Sequence, residues 1–464
     1  MLTACSSSLS LSGKRCPCVD GYVCDEETNL CVLAGAPDAS LPDTGGPDGD
    51  SGPPPPPTSP PVSIVCGGSH TCALFEDSTV KCWGANESGQ LGYRHTNNYG
   101  DDPGEIPSAL EPVDVGGDVV QLSAGLSHTC ALLTDGGVRC WGHGGSGRLG
   151  YGSQDNIGDI EPPSSAGSIS LGGVAVQVVT GAYHSCALLD NGKVRCWGEA
   201  QYGQLGYGDM LDVGTLPGNL PSDKGDLDVG GDFPLTLPMV HLAAGWEHTC
   251  GYDTGAAVHC WGRGFAGALG YVSTNNIGDN EVPSSVVGSV QTGSKVSQIT
   301  AGNAFTCAFV GQYSHAICWG WADKGRLGQG GTNNIGDTEQ PRSVAGLDVG
   351  GDVMQIVSGA DHACALLDDR SVVCWGSGEH GKLGYGNLSH IGDDPAEVPS
   401  TAGKVEVGGL VKQLALGQHH TCALLIDDTL RCWGLNDHGQ LGYGDTITIG
   451  DNETPASVPL VSIQ

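Results

Sequence analysis

The stretch HTCALLTDGGVRCWG, His128–Gly142, decides how this chain folds. Two short apolar runs, TCALL and VRCW, flank Thr-Asp-Gly-Gly, and Asp-Gly between apolar runs is the signal of a β-hairpin. In an antiparallel pair, opposed positions have a constant sum. A three-residue loop centred on Asp135 therefore sets Leu133 against Gly137 and Cys130 against Cys140. Opposed residues at a position without ladder hydrogen bonds have Cβ atoms close enough for a disulfide.

The same hairpin recurs to the end of the chain. The pairs are Cys72 and Cys82, Cys130 and Cys140, Cys186 and Cys196, Cys250 and Cys260, Cys307 and Cys318, Cys364 and Cys374, and Cys422 and Cys432. Successive first cysteines lie 58, 56, 64, 57, 57 and 58 residues apart. In the fifth copy the cysteines are eleven apart and GQYS replaces Asp-Gly, so opposition there needs a longer loop. A metal would want four convergent ligands and a redox pair adjacent spacing in one special copy, so the pairs read as staples.

Each unit also holds a strand of the form VxQ(L/I), such as Val119–Leu122, ahead of the hairpin. A Pro-led segment of the PSSV type follows as a fourth candidate strand. Four short antiparallel strands per unit, repeated, predict an all-β, seven-bladed β-propeller of four-stranded blades. The indoles Trp83, Trp141, Trp197, Trp261, Trp319, Trp375 and Trp433 fall in the same place and are expected between blades. Variation at the second position of GQLGY (Gln90, Arg148, Ala268, Lys382) predicts an exposed side chain. Closure of a propeller ring leads us to expect that strands from both ends share a blade.

Around this domain, 64–464, the composition changes. Residues 1–15 resemble a truncated lipoprotein-type N-terminus, with Cys5 in MLTAC as the lipidation candidate. Residues 16–33 hold Cys16, Cys18, Cys24 and Cys31 in a segment too poor in apolar residues to form a core, which predicts a small disulfide module of open connectivity. Residues 34–63 are rich in Pro, Gly and Asp and read as a disordered linker. Cys66 is left over and is expected to be a buried thiol.

The net charge of −33 weighs against nucleic acid, because phosphate binding needs clustered Lys and Arg. No apolar run approaches a transmembrane length. Twenty cysteines point to an oxidising compartment.

The string GxxHTCAL…DGxVxCWGxNxxGQLGYG closely resembles the repeat of the regulator of chromosome condensation family, most typically in GLNDHGQLGYG from Gly434. The resemblance implies a seven-bladed propeller. It implies little about function, because founding members exchange nucleotide on a nuclear GTPase and bind nucleosomes through basic and acidic loops. A plant ultraviolet-B photoreceptor of the same family sets tryptophans among arginines at a dimer face, whereas here Trp246 and Trp321 are the two Trp outside the repeated position. A secreted relative inhibits a β-lactamase and is an extracellular protein binder.

The sequence thus predicts a non-catalytic, monomeric protein-binding propeller, lipid-anchored on a bacterial cell envelope or secreted, with no cofactor. The alternative is a guanine-nucleotide-exchange-like regulator of a small GTPase.

Three groups of residues are candidates for sites. The histidines that six repeats place before the middle strand, His70, His128, His184, His248, His362 and His420, are expected to bond backbone at a blade corner; the fifth repeat has Phe305. Asp159, Asp279, Asp337, Asp393 and Asp451 follow Ile-Gly; they suit either calcium loops or turns in which Asp bonds its own backbone. The third repeat has the longest spacer, and with the two extra tryptophans it supplies the binding-face candidates Leu211, Leu216, Leu220, Phe233, Trp246 and Trp321.

Overall fold

The computed structural model describes residues 22–25, 30–33, 59–229, 238–285, 288–310 and 315–464. Two units divide the chain, Met1–Pro57 and Thr58–Gln464. The first shows one antiparallel pair, Tyr22–Asp25 with Leu30–Leu33, in which Cys24 opposes Cys31. Cys5, Cys16, Cys18 and Phe233 lie outside the described residues.

The second unit is a ring of seven antiparallel three-stranded sheets. In blade 2 the inner strand is Val119–Ala124, the middle strand His128–Leu133 and the outer strand Val138–Gly142. Blade 1 begins at Pro61, inside the segment read as linker, where a proline that cannot donate to a ladder is tolerated. Blade 7 ends its outer strand, Leu430–Gly434, thirty residues before the last residue.

Hairpin register follows the loop chemistry. Cys130 opposes Cys140, and the Asp135 carboxylate accepts the Gly137 N–H at 2.8 Å while Gly136 takes φ 78°. Gly at that position meets no steric penalty. The disulfides Cys72–Cys82, Cys130–Cys140, Cys186–Cys196, Cys250–Cys260, Cys307–Cys318, Cys364–Cys374 and Cys422–Cys432 close with Cα separations of 4.0–4.1 Å. In the fifth, Val310 pairs with His315 beyond the cysteines, so the extra residue is absorbed in the loop.

The fourth strand is where the structure departs from expectation. The Pro-led segment forms a single helical turn, as at Pro163–Ala166. Only a residue further on meets the outer strand, through one backbone bond per blade. These run from the N–H of Val113, Ile169, Leu227, Val290, Leu347, Val405 and Val461 to Val80, Val138, Val194, Val258, Ala316, Val372 and Leu430. A proline at the head of the segment starts a helical turn more readily than a ladder.

The outer strand's exposed edge is satisfied differently. The N–H of Cys82, Cys140, Cys196, Cys260, Cys374 and Cys432 donates to the hydroxyl of Tyr93, Tyr151, Tyr207, Tyr271, Tyr385 and Tyr443 at 3.1–3.4 Å. The Tyr of GQLGY thus stands in for the missing strand, because a buried backbone N–H must find a partner. Burial pushes the Tyr151 phenol up to about 12.

Blades join through a repeated network. His70 Nε2 lies 2.9 Å from Thr129 Oγ1 of the next blade, and Thr129 Oγ1 donates to the Gln90 carbonyl. The hydroxyl proton is committed to that carbonyl, so the imidazole donates through Nε2, and burial, which pushes His70 down to about 4, keeps it neutral at pH 7. The same contact links His128 to Ser185, His184 to Thr249, His248 to Thr306, His362 to Thr421 and His420 to Thr71. These histidines therefore bond side chains of the next blade and not backbone at a corner. In the fifth blade Phe305 replaces His, and Ala363 replaces the facing hydroxyl. Both partners change together, which leaves no buried polar group unpaired.

The indoles add to each joint. All seven repeated tryptophans are buried, and Trp83, Trp197, Trp319, Trp375 and Trp433 donate Nε1–H to the carbonyls of Gln440, Arg148, Ala268, Arg326 and Lys382. A recurring Gln forms a further clamp: Gln121 Oε1 accepts the Val178 N–H, and Gln121 Nε2 donates to the Val178 carbonyl.

The ring closes by this same joint. His420 meets Thr71, Trp83 meets the Gln440 carbonyl, and Gln413 clamps Ile64. No strand exchange occurs: each described blade is built from consecutive strands. A shared blade is unnecessary because blade 7 offers blade 1 the same surface that every blade offers its successor.

Candidate functional site

The inner strands surround an axial cavity of about 230 Å³. Their last residues, among them Cys66, Ala124, Thr180, Ala244, Ala301 and Ser358, form the wall, and Leu126, Trp246 and Gln418 stand at its mouth. Cys66 is half-buried and not fully enclosed, with Sγ 3.6 Å from the Ala415 carbonyl. Burial pushes its thiol up to about 12. Among the described residues, the group of His, Cys, Asp or Glu ligand atoms that gathers within 4.8 Å is Cys66, His420 and Cys422. Cys422 is bonded to Cys432, so this is not a metal donor set.

The Ile-Gly-Asp loops lie against the preceding blade. A Cβ on Gly89 would reach 2.4 Å from the Asp159 nitrogen, which is why the GQLG turn needs glycine there. The Asp159 and Asp337 carboxylates accept the N–H of Ile160 and Thr338, and Asp279 accepts from Asn276. These contacts fit the turn reading of the aspartates. In the third repeat Val213 takes the place of Ile in the same bridge, opposite Gly198. Of the candidates beside that bridge, Leu211 and Leu216 are exposed, and Leu220 packs near Gly152 of blade 2.

The structure brings the variable positions together around the channel mouth. Two residues beyond the Gly that follows each inner strand stand Tyr183, Glu247, Asp361 and His419, and each meets a residue of GQLG or of the turn leading into it. Arg148 lies over the Tyr183 ring at 5.2 Å, and Glu247 pairs with Arg263 at 2.5 Å. The Asn303 carbonyl accepts from Arg326, whose guanidinium stacks on Trp321 at 4.0 Å. Trp321 meets Phe265 edge-on at 5.5 Å, and Arg263 lies between Phe265 and Tyr202. Contacts thus run continuously from the mouth to Tyr202.

The second GQLG position supplies this face from beneath. Gln90, Arg148, Gln204, Ala268, Arg326, Lys382 and Gln440 are all buried, contrary to the exposure expected from their variability. They vary because each is matched to its own partner. Lys382 is fully buried, 2.6 Å from Asp361; burial pulls its ammonium down and Asp361 opposes that pull.

Asp361→Ala is expected to cost about 3 kcal/mol, because it strands a buried charge. The double change Asp361→Ser with Lys382→Gln copies the Ser69 and Gln90 of blade 1 and is expected to recover most of that loss. Urea denaturation of the three proteins measures both effects, and a fully tolerated Asp361→Ala refutes the pairing.

Sequence reasoning singled out Trp246 and Trp321 but missed Tyr202, Arg263, Phe265 and Arg326. Their signal was present: GEAQYGQ, GRGFAGA and GWADKGR depart from GLNDHGQ at these places.

Comparison with known proteins places this geometry. The family model for the regulator of chromosome condensation (RCC1) repeat matches residues 78–132, 191–252, 256–309, 315–366 and 371–424. A second model for the same repeat matches 62–90, 119–148, 175–204, 353–382 and 411–440. The Ultraviolet-B receptor UVR8 of Arabidopsis thaliana is 30% identical over 404 residues, covering 86% of this chain and 82% of that protein. Human Protein RCC2 is 27% identical over 387 residues, 79% of this chain and 68% of that protein. The human E3 ubiquitin-protein ligase HERC2 is 28% identical across 80% of this chain, which spans 7% of that ligase. Among solved structures, yeast RCC1 (Prp20) bound to Kap60 shares 19% identity at a TM-score of 0.60, covering 85% of this chain and 84% of that one. Human WBSCR16 shares 22% at 0.58, covering 78% and 86%.

Proposed function

This chain belongs to the regulator of chromosome condensation (RCC1) repeat family, and from that premise we propose that it is a non-catalytic, protein-binding propeller of an oxidising compartment. The observation that carries the reading is the channel-mouth face. Positions that differ between otherwise matching repeats converge there as partly exposed Tyr, Trp and Phe held by Arg. Those residue types dominate the energetic centres of protein interfaces, because large rigid rings bury much area at little entropic cost. The seven disulfides favour a cell-envelope or secreted setting and weigh against a reduced cytosolic GTPase partner. In the envelope setting Cys5 is the anchoring residue, and the acidic surface favours a partner with a basic contact region.

Pull-down from envelope extract tests the reading. A partner retained by the oxidised protein is expected to fall at least about tenfold with Trp246→Ala plus Trp321→Ala, a loss typical of removing interface anchors. It is expected to be unchanged with Leu211→Ala, and both variants are expected to keep the parent melting temperature. Equal retention by the double variant overturns the assignment of this face.

A further inference from the structure

One groove departs from the repeat in a way that blade packing does not require. It lies where blades 3, 4 and 5 meet, has a volume of about 460 Å³, and is walled by Tyr202, Arg263, Phe265, Thr274, Asn334 and Asp337. Where blade 4 has Phe265, the other six copies have Glu87, Gly145, Gln201, Asp323, Glu379 and Asp437. An acidic chain has thus placed a phenyl ring where its other blades carry a polar side chain or none. The ring is 42% exposed, and exposed apolar area is unfavourable unless something covers it.

The ring is nevertheless held in place. Trp321 meets it at an interplanar angle of 80°, and the Arg263 guanidinium sits 5.2 Å from its centroid and 4.6 Å from that of Tyr202. Glu247 takes up the arginine charge. The result is a rigid, neutralised aromatic platform.

Polar groups complete the wall. Asn334 accepts the Ala322 N–H through Oδ1 at 3.1 Å, which fixes the amide and leaves its NH₂ as a donor. Asp337 Oδ1 accepts the Thr338 N–H at 2.7 Å, and among the described residues its other oxygen has no partner. Thr274 adds a hydroxyl. A carboxylate oxygen and an amide NH₂ together are an acceptor and a donor, the complement of adjacent hydroxyl groups.

We infer that this groove binds a neutral saccharide. One face of a pyranose, rich in C–H, lies on the exposed side of Phe265, with Tyr202 at the groove's edge, and its hydroxyls pair with Asp337, Asn334 and Thr274. An apolar side chain of a protein partner would cover the platform but strand those polar groups, which is costly. An anionic glycan meets a chain of net charge −33 whose one groove cation is already paired. The volume falls within the range of small-ligand clefts. The groove shares Tyr202, Phe265 and the bracing Trp321 with the face proposed for protein docking, whereas Trp246 lies outside it, so Trp246→Ala alone, expected to weaken docking and leave saccharide binding unchanged, separates the two readings.

The oxidised full chain is to be titrated with maltotetraose, cellotetraose, chitotetraose and mannotetraose, followed by calorimetry and by tryptophan emission, to which Trp321 contributes. At least one is expected to bind with Kd below about 1 mM. Phe265→Glu, which copies Glu87 and Glu379, and Asp337→Asn are each expected to weaken it at least about tenfold. Phe265→Tyr is expected to retain binding, and Leu211→Ala to leave it unchanged. Thermal melting checks that Phe265→Glu folds; if it does not, Asp337→Asn and Phe265→Tyr carry the test. The inference is overturned if none of the four binds at about 10 mM, a free energy under ~3 kcal/mol. It is also overturned if Asp337→Asn or folded Phe265→Glu binds as the parent does, or if only an anionic oligogalacturonate binds.

Discussion

Refolded with its cysteines reduced, the chain is expected not to regain the propeller. Each disulfide closes a separation of ten or eleven residues, and the chain-entropy account gives roughly 2.5–3 kcal/mol for a loop of that size. The seven loops do not overlap, so their effects sum to about 20 kcal/mol, more than the roughly 5–15 kcal/mol of net stability usual for a folded domain. The seven buried indoles provide the readout, since near-ultraviolet circular dichroism and tryptophan emission collapse when blades separate. A reduced chain that melts at the temperature of the oxidised one would refute the stapling. Replacing one pair, Cys130→Ala with Cys140→Ala, is expected to cost about 3 kcal/mol without abolishing the fold.

Acid is the second strong lever, and it acts through the histidine joints. Burial holds His70 and His248 down to about 4 and His184 and His420 down to about 3, with His128 and His362 also well below the ordinary value. The folded-state values lie below the unfolded value of about 6.5. The unfolded chain therefore binds more protons, and stability falls as pH drops from about 6.5 towards 4. Above about 7 these groups contribute no pH dependence.

At pH 5 each of His70, His184, His248 and His420 is worth about 2 kcal/mol, on the order of 8 kcal/mol together, and His128 and His362 act in the same direction. Glu105, Glu161, Glu199 and Glu281 are raised by desolvation and act in the opposite sense, but they are partly solvated. Calorimetry is expected to show a melting temperature flat from pH 7 to 8.5 and markedly lower at pH 5, with net proton uptake on unfolding at pH 5. Equal melting temperatures at pH 7 and pH 5 would show that these imidazoles are not neutral, buried donors.

Local reasoning succeeded wherever one repeat was enough. The register that opposes Cys130 and Cys140 follows from the turn at Asp135 and Gly136, because a side-chain period of two leaves no freedom once the loop is set. It failed at the outer edge. A Pro-led PSSV run and a strand look alike in sequence, and only the packed structure shows the Tyr hydroxyl taking over the edge N–H. It failed again for the second GQLG position, where variability was read as exposure. Lys382 is matched to Asp361, twenty-one residues away, whereas the Gln90 side chain accepts the Ser88 N–H of its own turn, and neither partner is visible in the position's variability.

By itself the sequence determined the blade: its hairpin, its staples, its count of seven, and its kinship. Those are properties of contacts within one unit or of identity between units, and they repeat in the text of the chain. The tertiary structure alone decided how the ring closes, where the histidines bond, and which departures from the repeat meet. Ring closure places residues about 57 positions apart, or at opposite ends of the chain, side by side. Linear spacing does not encode such neighbours, so Tyr202, Phe265 and Asp337 became one groove only once the blades were packed.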